Sequence, residues 1–232
     1  MAVVAIATLF VLMSEAVSAK GATLALVLAV DVSASVTADS YVLQRNGIAQ
    51  AFADPRLAEV ISAAPGGIEV LVLEWSDPDK IVVTVDWTHI ADAAGAHSFA
   101  AAVRATSRSS AGLTAIGTAL MAAAAAFDHL PEPAARRMID ISGDGMANFG
   151  LPPPTARDHI AASGIAINGL AIVTDEPGLA DYYRSKVIVG PSAFVAVART
   201  FDDFAGAMLR KLVREVASAS MMPAPLHPAQ MQ

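Results

Sequence analysis

The sequence contains no cysteine. Disulfides, thiolate zinc clusters and a lipid-modified cysteine anchor are therefore excluded, and stability must come from the core. Positive charge is also scarce. Fifteen Lys and Arg stand against 22 Asp and Glu, a formal net charge of −7. No basic stripe is available to neutralise phosphates, which argues against nucleic acid as a partner. The acidity does suit binding a cation. The five histidines (His89, His97, His129, His159 and His227) show no His-x-x-His or His-Glu-x-x-His spacing, so zinc catalysis has no support. No Gly-x-Ser-x-Gly elbow is present, and neither a Walker loop nor Gly-x-Gly-x-x-Gly follows a strand. Apolar residues, by contrast, reach 55% of 232 positions, with alanine a large part. That length suits one sizeable α/β domain.

The first residues form a segment of their own. Ala2 to Met13 is uncharged and apolar, and Ser14-Glu15-Ala16-Val17-Ser18-Ala19 ends in small residues. This pattern predicts a signal peptide over Met1 to Ala19, with Lys20 starting the mature chain. The alternative is an N-terminal membrane anchor, but the apolar run is short against the roughly 20 residues a span needs. The chain is thus expected to be periplasmic or secreted, with membrane contact only if this segment stays uncleaved. Residues 20–217 are expected to form the domain, and residues 218–232 an exposed disordered tail.

Strand and helix patterns alternate through the domain. Leu24 to Val30 is a continuous apolar run, as expected of a parallel strand covered on both faces. Thr37 or Asp39 is placed to cap a helix to about Phe52, and Asp54-Pro55 reads as a break. Ile68 to Trp75 and Ile81 to Val85 read as an antiparallel hairpin around Ser76-Asp77-Pro78-Asp79. Helices are expected over His89–Ala105 and Thr114–Asp128, then a strand over Arg137–Ser142. A helix from Thr155 to Ser163, a strand from Ile165 to Val173 and a short helix from Leu179 to Ser185 follow. Phe194 to Ala198 reads as a short strand, and Phe201 to Ala217 as a closing amphipathic helix. The expected fold is a doubly wound, mostly parallel six-stranded sheet with one antiparallel edge strand and helices on both faces. Trp75 and Trp87 flank the hairpin and read as packing residues.

Three loops gather on the edge where such sheets bind ligands, beyond the carboxyl ends of the strands. The first, Asp31-Val32-Ser33-Ala34-Ser35, ends the first strand in a carboxylate and two hydroxyls at alternate positions. The second, Ala111 to Gly117, places the Thr114 hydroxyl at a helix start. The third, Ser142-Gly143-Asp144-Gly145-Met146-Ala147-Asn148, places a second aspartate at a strand end. Oxygen donors of this kind suit hard divalent cations. Singly, each residue also has an ordinary use. Asp31, Ser33 and Thr114 are good helix caps, and Asp144-Gly145 is good turn chemistry.

Taken together, Asp-x-Ser-x-Ser, the distant Thr and the distant Asp-Gly resemble the metal-ion-dependent adhesion site of von Willebrand factor A domains. The likeness extends over roughly Thr23 to Ala217. Glu74-Trp75-Ser76, Val85-Asp86-Trp87-Thr88 and Ile141-Ser142-Gly143-Asp144-Gly145 with Asn148 resemble, more narrowly, a bacterial family of exported proteins known as domain of unknown function 1194. The resemblance implies five parallel strands and a short antiparallel edge strand. It also implies a Mg2+ ion, or Mn2+ or Ca2+, bound directly by Ser33 and Ser35. Thr114 would join when a ligand is engaged, while Asp31 and Asp144 act through bound waters. An ion held by neutral hydroxyls is under-neutralised and seeks an outside carboxylate, an Asp or Glu of a protein partner. Gly145 and Asn148 would form the rim of that contact. No catalysis is expected. A rival reading is an aspartate-nucleophile phosphotransferase, but Ser33 stands where the second aspartate of those enzymes acts as general acid. A third is a structural domain whose ion site is unused.

Overall fold

A computed structural model describes residues 21–221. The expected signal peptide, Lys20 and tail residues 222–232 lie outside the described residues. The strands are β1 (Leu24–Asp31), β2 (Ile68–Trp75), β3 (Ile81–Ile90), β4 (Arg137–Gly143), β5 (Ala166–Ile172) and β6 (Val195–Ala198). They form one sheet in the order β3-β2-β1-β4-β5-β6, with β3 antiparallel to β2 and every other neighbour pair parallel. The helices are α1 (Ala38–Ala53), α2 (Pro55–Ala63), α3 (Ala93–Ala105), α4 (Ile116–Ala126), α5 (Pro153–Ala162), α6 (Leu179–Lys186) and α7 (Phe204–Met221).

β1 is buried along its whole length, which explains its unbroken apolar sequence. Leu24, Leu26, Leu28 and Val30 join the core under α1, α2, α3 and α7. Ala25, Val27 and Ala29 join the opposite core under α4, α5 and α6. The strand order turns back at β1, whose two neighbours continue in opposite directions. Sheets of this kind bind ligands beyond the carboxyl end of the strand at such a point, and here Asp31 stands there. Trp75 is fully buried; Trp87 packs on Phe127 and donates to the Ala126 carbonyl at 3.1 Å.

Several boundaries differ from expectation. β3 runs to Ile90 rather than Val85, with irregular register opposite Val70 to Leu73, and takes up His89 and Ile90. The helix that follows starts at Ala93, because Asp92 caps it by accepting from the Gly95 N–H. Asp54-Pro55 is a break and also a start. Asp54 accepts from the Arg56 N–H, and Pro55 opens α2, a helix the sequence reading missed. α7 continues through Met221, past the expected end at Ala217, because Ala219 still packs on the core.

α7 is pinned by a buried ionic cluster. The Lys211 ammonium lies 2.6 Å from Asp140 of β4 and donates to Glu215 one turn on. Asn168 of β5 donates to the same Glu215 carboxylate at 2.8 Å. One ammonium thus serves two buried carboxylates. Burial raises both carboxyls, with the Lys211 charge opposing, and Glu215 reaches about 7. A carboxyl raised from 4.5 keeps in the folded state a proton that the unfolded chain releases. Its contribution to stability is full below the unfolded value and is lost as pH rises through about 7. Wild type is therefore expected to melt at a higher temperature at pH 5.5 than at pH 8. Glu215→Gln, which keeps an acceptor for Asn168 and Lys211, is expected to flatten that difference in melts across the range.

Candidate functional site

The site begins where β1 leaves the sheet between β2 and β4. Asp31 is fully buried there. Its Oδ1 accepts from the Ser33 N–H at 2.7 Å, a local turn that brings the next two hydroxyls round to the same side. Ser33 and Ser35 share a hydrogen bond of 3.2 Å between their Oγ atoms, and Ser35 Oγ donates to Asp144 Oδ1 at 2.7 Å. Four residues from two strand ends form one hydrogen-bonded chain.

Thr114 approaches this chain from the second loop. Its Oγ1 lies 4.0 Å from the point a Cβ on Gly145 would occupy, beside Asp144. Its N–H donates to Asn148 Oδ1 at 2.9 Å, and the Asn148 N–H donates back to the Thr114 carbonyl at 3.1 Å. Asn148, expected at the rim of a partner contact, is exposed and clamps Thr114 in place. The ordinary uses of these residues as caps are not taken up. Thr37 caps α1 by accepting from the Ser40 N–H. Thr114 sits two residues ahead of α4, which has no side-chain cap bond at all.

Other residues, not singled out from the sequence as site residues, hold the loops. Arg108 donates to the carbonyls of Val32 and Ser33 at 2.8 and 2.9 Å. Glu74 accepts from Tyr41 and from the Ser109 N–H at 2.9 and 2.7 Å, tying the polar loop 107–112 to β2. The Ala34 N–H donates to the Gly112 carbonyl at 2.8 Å. The only sequence signal for any of these was Glu74 in Glu74-Trp75-Ser76.

Beneath the chain of hydroxyls lies an underused polar layer. Asp31 Oδ2, Ser142 Oγ and the Tyr183 hydroxyl are buried and have no hydrogen-bond partner among the described residues. Burial, with the negative charge of Asp144 adding to it, pushes the Asp31 carboxyl up to about 7. Burial also raises Asp144, and it lifts the Tyr183 phenol well above its ordinary value. Gly143 keeps this layer open. A Cβ there would lie 2.8 Å from both Asp31 Oδ2 and the Tyr183 hydroxyl. Gly143→Ala must therefore displace Asp31 or Tyr183, and overpacking of this kind costs about 1–3 kcal/mol. A lower denaturant midpoint, with an unchanged slope, is the expected result.

Chemically, the assembled set offers three hydroxyls and two carboxylates, all oxygen. Among the described residues, no group of three or more His, Cys, Asp or Glu is placed to hold a metal, so any ion here depends on the hydroxyls.

A family model described as "Protein of unknown function (DUF1194)" matches residues 21–220. No match was found among curated proteins. The fold is similar to that of proximal thread matrix protein 1 from the mussel byssus. The TM-score is 0.63 at 15% identity, over 85% of this chain and 49% of that one. The same mussel protein with a zinc-occupied MIDAS motif (metal-ion-dependent adhesion site) gives a TM-score of 0.60 at 17% identity, over 85% and 46%. The vWF domain of the type V pili tip protein Mfa5 from Porphyromonas gingivalis gives 0.58 at 10% identity, over 89% and 99%. The chain thus spans about half the length of the mussel protein and nearly all of the pilus-tip domain. These likenesses establish the von Willebrand factor A type of fold.

Proposed function

The chain belongs to the DUF1194 family, and we propose that it is an exported binding module that uses a divalent ion to grip an acidic residue of a protein partner. The observation that carries this is the hydrogen-bonded set Asp31, Ser33, Ser35 and Asp144, faced by Thr114, on the carboxyl edge of a parallel sheet. Ser33 and Ser35 would hold the ion directly, and Thr114 would join them when a partner is engaged. Asp31 and Asp144 would hold its waters. All-oxygen donors suit Mg2+, with Mn2+ or Ca2+ as alternatives. The buried, unpartnered Asp31 Oδ2 fits the same picture, since a nearby cation or its water would compensate it. When bound, the ion supplies an electrophilic position for a carboxylate oxygen. Gly145 and Asn148 would border that position.

Likeness in fold to matrix and pilus-tip proteins supports a binding role over a catalytic one. The mussel protein's zinc-occupied motif supports use of a metal. Export, to the periplasm or outside the cell, rests on the apolar segment ahead of Lys20. No helix among the described residues is long and apolar enough to cross a membrane.

Thermal melts with and without Mg2+ test the ion. At 100 times its dissociation constant, an ion bound only to the folded state adds about 2.7 kcal/mol. For a domain of this size each kcal/mol is worth about 2–4 °C. A rise of several degrees is expected. No rise with Mg2+, Mn2+ or Ca2+ would leave the domain a structural one.

A further inference from the structure

The loops that carry the candidate site also hold large apolar side chains out in solvent. Leu113, beside Thr114, is 45% exposed; Met146 and Phe149, after Asp144, are 40% and 55% exposed. A single exposed apolar residue needs no explanation. Three within five positions of Thr114 or Asp144 are a local concentration.

The backbone that presents them is firmly tied. Thr114 and Asn148 form a doubly hydrogen-bonded pair, and Leu113 and Phe149 are its immediate neighbours in sequence. The Ala147 N–H donates to the Tyr182 hydroxyl at 3.3 Å, and the Leu151 N–H donates to Thr118 Oγ1 at 3.1 Å. Between them Gly150 holds φ +77°, a left-handed turn that suits glycine. A Cβ there would meet Thr118 Oγ1 at 2.6 Å. Phe149 is thus presented to solvent by a fixed turn. Aromatic residues and methionine are enriched at protein interfaces, where they fill partner pockets.

Charge narrows the partner further. Two cations beside these loops are turned to the chain itself: Lys80 pairs with Asp77 at 2.7 Å, and Arg108 holds the carbonyls of Val32 and Ser33. A partner's acid would find its counter-charge in the ion, and the residues flanking that acid would meet an apolar surface. We propose that the partner is a protein segment carrying an Asp or Glu between large apolar side chains, its carboxylate on the ion and its neighbours on Leu113, Met146 and Phe149. This rests on the ion-dependent reading above.

The test is a random peptide library displayed on phage, panned on the immobilised full chain in Mg2+ and eluted with EDTA. The expected eluate is enriched in acidic residues with Phe, Leu, Met or Trp within two positions. The best such peptide, made synthetically, should bind Leu113→Ser/Phe149→Ser at least about tenfold more weakly, while calorimetry gives the variant an unchanged affinity for Mg2+. Acidic peptides without apolar flanks, or equal affinity for the variant, would overturn the proposal and leave the ion reading standing. Mg2+ binding without any EDTA-released peptide would do the same. Ion-dependent self-association that the variant loses would overturn it by making a second copy the occupant. If Mg2+ does not bind in calorimetry, the ion reading itself fails, and this proposal with it.

Discussion

Asp31→Asn is expected to abolish ion-dependent stabilisation while leaving the ion-free protein at least as stable as wild type. The amide keeps an oxygen for the Ser33 N–H, now received at 2.7 Å. It removes a negative charge that is fully buried, has one unpartnered oxygen and lies near Asp144. Removing an uncompensated buried charge does not weaken a fold. Losing a group that orients metal-bound water should reduce ion affinity about 10- to 100-fold. Calorimetry with Mg2+, paired with melts in EDTA, separates the two effects. A variant that melts well below wild type in EDTA and binds Mg2+ equally would make Asp31 a structural residue. The opposite pattern is the mark of a site that gives up stability for function.

Lys211→Ala should have the largest effect on folding. Lys211 is fully buried between Asp140 and Glu215. Without it two carboxylates face each other across β4 and α7 with no counter-charge. Breaking a buried ion pair by removing one partner costs about 3–5 kcal/mol. The midpoint of urea unfolding at pH 8 should fall accordingly. Part of the loss should return at pH 5.5, where Glu215 takes up a proton. A loss under 1 kcal/mol at pH 8 would show that the cluster is not what pins α7. Lys211→Ala/Glu215→Gln, which leaves only Asp140 to neutralise, should recover some of the stability.

Asp140 and Asp31 lie on neighbouring strands, β4 and β1, yet they meet opposite fates. Asp140 faces α7 and finds an ammonium. Asp31 stands at the end of β1, where its Oδ1 accepts from the Ser33 N–H and its Oδ2 has no hydrogen-bond partner among the described residues. A carboxylate with a cationic partner finds its counter-charge within the chain. One without calls for something from outside it.

Much was legible along the chain because it depends on local pattern. The unbroken apolar run of β1 reads as a strand covered on both faces, and the strand is buried along its whole length. Its ending in Asp31-Val32-Ser33-Ala34-Ser35 marked the oxygen-rich edge. The Ser76-Asp77-Pro78-Asp79 turn fixed β2 and β3 as a hairpin, since a parallel pair needs a longer connection. What failed was where local signals compete. Asp54-Pro55 both ends one helix and opens the next. His89 and Ile90 suit either a helix start or a strand, and pairing with β2 decided for the strand.

The sequence by itself determined the alternation of strands and helices and the lack of any thiol, and it carried the five oxygen-bearing candidates. Tertiary structure alone decided that Ser35 reaches Asp144 across 109 positions and that Asn148 clamps Thr114. It alone placed Gly143 under Asp31 and paired the buried Lys211 with Asp140. The physical reason is range. Periodicity and turn chemistry act within a few residues, whereas the pairing and burial of polar groups depend on which distant segments the core brings together.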